Sequence, residues 1–156
     1  MPATIPTYDA LANYPPAIAQ ALTQAGRFVL TIPITFNTAD AAVLYTVPSG
    51  VRVSVERAFW EPVVSWTGGS SSAIGLSSSN ANYNTKGDLL GGATGDVAAG
   101  LVSTGAPFKG TIGAKAATQG VIVLVAGDTI RFDRITSAFT AGSGNVHIPI
   151  TIIPSS

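Results

Sequence analysis

At 156 residues, with 46% apolar and 10% charged side chains, the chain is one domain by length and far less charged than the ~25% of ordinary soluble domains. Eight basic and eight acidic residues cancel, which argues against the basic excess that drives nucleic-acid binding and leaves little self-repulsion to oppose association. With no cysteine, disulfides and thiolate metal sites are excluded.

The first residues, MPATIPTYDALANYPP, have neither a basic leader nor an apolar core, so a secretory signal is not expected. Pro15-Pro16 opens Ala17–Ala25, with Ile18 and Leu22 four apart and Gly26 following. Proline at the start and glycine past the end predict a short helix. One or two alanine-rich turns are marginal alone, so residues 1–27 read as an arm that lies on its own domain or on a neighbouring chain. Residues 28–156 read as a single β domain.

Phe28–Phe36 alternates Phe28, Leu30, Ile32, Ile34 and Phe36 with Val29, Thr31, Pro33 and Thr35, the period of a strand with one buried face. Pro33 cannot donate to a ladder and marks an edge or a bulge. Val43–Val47 predicts a short strand that ends at Pro48-Ser49-Gly50. Val51, Val53 and Val55 then alternate with Arg52, Ser54 and Glu56, and the strand runs into Phe59-Trp60 before Pro62 interrupts it. Val63–Trp66 and Ala73–Ser79 predict two further segments.

Residues 77–120 are dominated by Ser, Asn, Gly, Ala and Thr and predict long loops, which in compact domains usually carry a partner or a function. Val121–Val125, apolar on both faces, predicts a central strand. It is far short of the ~20 residues of a membrane helix, so no membrane partner is expected. Thr129–Ile135 predicts a strand and Thr140–Asn145 a glycine-rich turn. Val146–Ile153 predicts a last strand with Val146, Ile148, Ile150 and Ile152 inward and His147, Pro149 and Thr151 outward. Pro149 there predicts an edge. Seven to nine strands with turn signals between them predict an all-β, antiparallel sandwich. Long non-hairpin connections favour a jelly roll.

The candidate chemistry reads as structural. His147 is the sole histidine, and the serines lack a Gly-x-Ser-x-Gly elbow for a triad. One histidine without cysteine makes zinc an unlikely guest. Glu56 and Glu61 resemble a glycosidase carboxylate pair only in composition; five positions apart across Pro62, they suit ion pairing, with Arg52 and Arg57 close in sequence to Glu56. Asp128 suits its turn, and Asp133, between Arg131 and Arg134, suits charge pairing. Asn80, Asn82 and Asn84 alternate like part of a calcium loop but lack its carboxylates. Trp60, Trp66, Tyr45 and Tyr83 fit the core or a subunit interface, with a sugar-stacking platform as the alternative. The reading has no catalytic, cofactor-binding or metal residues.

The stretches VPSGVRVSVERAFWEPVVSWTGGSSSAIGLSSS, KGDLLGGATGD and AGDTIRFDRITSAFTAGSGNVHIPITII resemble small virion proteins of tailed bacteriophages, and more narrowly the head decoration, or cement, proteins. The resemblance spans Phe28–Ile153. It implies a jelly roll that forms dimers or trimers, sits on the outer surface of the capsid and bridges major capsid protein subunits, without catalytic residues. The expected protein is therefore a non-enzymatic virion component assembled in the host cytoplasm, whose partners are the major capsid protein and itself. A tail-appendage module that binds a host glycan or receptor through Trp60, Trp66 or Tyr83 is the alternative. A small hydrolase built on Glu56 and Glu61 is a remote third reading.

Overall fold

The computed structural model describes residues 26–68, 72–90 and 114–154. The predicted helix over Ala17–Ala25 and the middle of the glycine-rich stretch, 91–113, lie outside the described residues.

The described chain is all-β apart from one short helix. In order, the elements are β1 (Arg27–Thr35), β2 (Val43–Thr46), β3 (Val51–Val55), β4 (Phe59–Thr67), β5 (Ala73–Ser78), α1 (Ala114–Gln119), β6 (Ile122–Leu124), β7 (Thr129–Ile135) and β8 (Ala141–Pro154). Every strand pairing is antiparallel. β1, β8, β3 and β6 lie side by side in that order, with β4 also paired to β8, and β2, β7 and β5 form the second sheet.

β8 is the spine of the five-stranded sheet. One of its edges pairs with β1 from Arg27↔Thr151 to Thr35↔Ser143. The other is shared end to end, β3 taking residues 150–154 and β4 taking 141–147. Pro149 thus sits in the middle of a central strand, not at an edge. Its carbonyl accepts from the Glu56 N–H, and because a strand residue's N and C=O share one edge, its missing N–H faces the β3–β4 junction. The ladder is broken there anyway, which is where a sheet tolerates proline. Pro33 does lie on an edge strand, opposite Asn145. The break after β3 falls at residues 56–58 rather than at Pro62. β4 runs through Pro62 as one strand, with register shifts between Pro62 and Val64 and between Val64 and Thr67.

The predicted turn over Thr140–Asn145 is mostly strand, and its glycines have a packing reason. A Cβ on Gly144 would lie 2.6 Å from Cζ2 of Trp60, and one on Gly142 would run into the Trp66 ring. Both indoles pack against this stretch of β8, which carries no side chains at 142 and 144. Trp66 stands edge-on to Trp60 at 5.4 Å and to Phe139 at 4.8 Å, the T-shaped geometry that aromatic quadrupoles favour. Its indole N–H donates to the Ser143 carbonyl at 3.2 Å.

Between the sheets lies one apolar core. Val51, Val53, Val55, Ile148 and Ile150 from one layer meet Ile74, Leu76, Ile130 and Phe132 from the other, all buried. The inward set predicted for β8 is the buried set. β6, predicted to be central, is instead an edge strand next to β3, and Val121 and Val125 at its ends stand 55% and 46% exposed.

Candidate functional site

The five-stranded sheet turns its outward residues to solvent, and these form the most distinctive polar group of the described chain. His147 on β8 is flanked by Thr31 on β1 and Phe59 on β4, each directly opposite it. Its Nδ1 lies 2.9 Å from Thr31 Oγ1, its Nε2 lies 2.9 Å from Glu61 Oε2, and the Phe59 ring stacks on it at 4.9 Å. Asn145 also donates to Glu61 Oε2, at 3.1 Å. The hydrogen bond from His147, then that from Asn145, holds the Glu61 carboxyl below its usual range.

Hydroxyl, imidazole and carboxylate stand in line here, yet the arrangement is that of a clasp across three strands. The hydroxyl belongs to a threonine on a flat sheet face, Phe59 covers one face of the ring, and the imidazole is only 14% exposed. Nucleophilic catalysis needs in addition a set of donors aimed at a developing oxyanion, and the strand backbone at His147 is engaged with its neighbours on both edges. The ion pairing expected of Glu61 is found, but its partner, His147, is not visible from the sequence. The register of β4 on β8 decides the matter, and Pro62 conceals it.

Glu56 is bound elsewhere, to Arg27 Nη2 at 2.5 Å. Its partner therefore comes from the far edge of the sheet and not from Arg52 or Arg57. Among the described residues the Arg52 side chain makes no hydrogen bond or ion pair, and its Nε is buried without an acceptor.

The three-stranded sheet has a second polar cluster. Asp133 is buried on the outward face of β7, where its carboxylate accepts from Ser77 Oγ at 2.7 Å and from the Gly87 N–H at 3.0 Å. Burial pushes its carboxyl above the usual range, against the opposing pull of those two bonds, while the nearby Asp40 adds to the rise. Its expected partners point elsewhere: Arg131 Nη2 donates to the Ser78 carbonyl and Arg134 Nη2 to that of Thr38. Lys86 bridges Asp40 and the Arg134 carbonyl. Burial raises the Asp40 carboxyl, but Lys86 and the Arg134 N–H together bring it below its ordinary value.

Residues 79–90 are folded over the outer face of β5. Leu76 exchanges backbone hydrogen bonds with Leu89 and Leu90, and Ser78 N–H donates to the Tyr83 carbonyl. Asn80 Nδ2 reaches Asp128 Oδ2 at 2.9 Å while its own Oδ1 accepts from Asn82 N–H. The asparagine alternation thus pins a loop to the β6–β7 turn. Asp128 also accepts from the Val125 N–H, as its turn requires.

The aromatic candidates belong to the core. Trp60, Trp66, Tyr45 and Tyr83 are 0%, 2%, 8% and 9% exposed, and the Tyr83 hydroxyl donates to Gln119 Oε1. Neither indole offers a face on which a sugar stacks. Comparison with protein-family models, with curated proteins and with solved structures returned no match.

Proposed function

We propose that the protein is a non-enzymatic virion structural protein, a decoration (cement) protein that sits on the outer surface of a phage head and stabilises it by bridging major capsid protein subunits. The observation that carries this reading is where the acidic groups go. Asp40, Glu56, Glu61, Asp88, Asp128 and Asp133 each accept a bond from within the fold. Among the described residues the carboxylates are spent on holding strands and loops together. Exposed valines at edge strands and a net charge of zero suit a protein that is gripped by other protein. The resemblance to cement proteins supplies the identity of the wall.

The finer fold in this reading is a jelly roll. The pairs β1–β8, β2–β7 and β3–β6 are nested, as when one long antiparallel ribbon is wrapped around a core. The isolated bridge Leu76↔Leu90 stands on the free edge of β5, where such a ribbon places its remaining strand. In this reading the chain that precedes β1 contacts the shell or a neighbouring copy.

Adding the purified protein to stripped heads and to tails, followed by negative-stain microscopy, tests this reading. A regular coat on heads is the expected result. A coat confined to tails would move the protein to an appendage, and no coat on either would end the proposal.

A further inference from the structure

Once Glu56 has taken Arg27, strands β3 and β4 still carry on the outer face of the five-stranded sheet a cation and an anion that the fold leaves incompletely used. Arg52, opposite Ile153, is the cation: its side chain makes no hydrogen bond or ion pair among the described residues, and its Nε is buried without an acceptor. A buried guanidinium N–H without an acceptor is costly, because that donor has left water without gaining a partner. The anion is Glu61, opposite Asn145; both of its bonds converge on Oε2, and its side chain is 42% exposed. Arg52 and Glu61 lie on the same side of β8, four residues beyond Pro149 in one direction and four short of it in the other. Val29, opposite Pro149 on the other edge of β8 and midway between them along the strand direction, is 51% exposed.

These positions are related by a two-fold axis. An axis lying in the plane of the face, crossing the strands at Pro149, reverses the strand direction of a second copy and keeps the β3–β4 side over the β3–β4 side. Arg52 then lies over Glu61 of the second copy and Glu61 over its Arg52, each ~14 Å from the axis at ~3.4 Å per residue. Val29 and Pro149 lie on the axis and meet themselves. We propose that the outer face of the five-stranded sheet is the self-association face of this protein, two copies packing sheet on sheet with reciprocal Arg52–Glu61 pairs. This rests on the reading of the protein as a self-associating coat subunit and names the surface that reading left open. Isologous contact of this kind is the commonest symmetry of soluble oligomers, and aligned sheet packing is an ordinary way to bury two such faces.

The test is sedimentation equilibrium of the full chain and its variants, with thermal melts to show that each is folded. The wild type is expected to dimerise, Arg52→Glu and Glu61→Arg each to weaken the dimer at least tenfold, and the double variant to recover most of the loss. A wild type that stays monomeric, or reversals that change nothing, or a double variant no better than the singles, would overturn the proposal. A second probe keeps it falsifiable if a reversal fails to fold. The chain has no cysteine, so Val29→Cys introduces a single thiol on the axis. A short bismaleimide should join it into covalent dimers while leaving Val43→Cys, on the other sheet, monomeric; equal cross-linking of the two would count against the face. Head binding is scored separately: a dimer that ignores heads sinks the coat reading and spares the face. A coat that forms although the reversals change nothing does the opposite.

Discussion

The two outward sheet faces of this sandwich are finished differently. That of the three-stranded sheet is closed by the chain itself: residues 79–90 fold across β5, and Asp133 is buried beneath them. Its five-stranded counterpart is bare, with Val29, Thr31, Pro33 and Glu61 toward solvent and Arg52 lacking an acceptor. A chain with 10% charged residues has few groups with which to make a face soluble. Covering one face with a loop is one solution, and meeting another protein is the other. Under the self-association proposed above, the bare face is the one that meets a second copy.

The bare face depends on what lies beneath it, and the largest effect is expected there. Trp60 is fully buried against Gly144, so Trp60→Ala should cost about 3–5 kcal/mol in a denaturant melt. Trp60→Phe should cost far less, because the indole N–H has no hydrogen-bond partner to lose. Equal losses for the two would mean that the ring is not packed as described.

For the covered face the sharpest substitution is at Gly75. A Cβ there would lie 2.6 Å from the Leu90 carbonyl oxygen, and the obstacle is backbone. Gly75→Ala should therefore cost about 1–3 kcal/mol and speed proteolysis within residues 79–90, while Gly50→Ala does not touch that loop. Unchanged protease resistance would show that the cover does not rest on β5.

Asp133 distinguishes the faces by pH. Its carboxyl is raised by burial, so the stability it contributes is greatest below the ordinary carboxylate range and is lost as pH rises through the raised value. Asp133→Asn removes that dependence. Relative to wild type, the variant should gain stability between acid and neutral pH, and a gap that stays constant across that range would contradict the burial argument.

Glu61, on the bare face, has the opposite sign. Its carboxyl is lowered by His147 and Asn145, so its contribution is present above the ordinary range and lost as pH falls through the lowered value. At 42% exposure this effect should be the smallest of the set. Glu61→Gln should flatten the acid limb of the unfolding curve slightly, and a steeper limb would count against the clasp.

Much of the architecture was legible in the residues. Alternation placed β1, β3 and the second half of β8 and assigned the inward valines and isoleucines of β3 and β8 correctly, because a one-sided strand writes its burial with period two. What the residues concealed was tertiary. Glycines at 142 and 144 read as a turn but are the space that two indoles occupy. Pro149 read as an edge but falls at the gap between two strands sharing one neighbour. Val121–Val125 read as central because apolar on both faces, although its ends are exposed. The clasp of Thr31, His147 and Glu61 joins residues 86 and 116 positions apart, and only strand register brings them together. Asp133 was expected to pair with flanking arginines, but Arg134, its neighbour in the strand, points to the opposite face, and Arg131, on the same face, is engaged by the Ser78 carbonyl.

The most direct measurement is the temperature at which filled phage heads, stripped of their outer proteins, release their DNA with and without saturating amounts of this protein. Binding that saturates and raises the release temperature is expected of a subunit that spans neighbouring capsomers. Heads that bind none of it, or bind it and release at an unchanged temperature, would contradict the account.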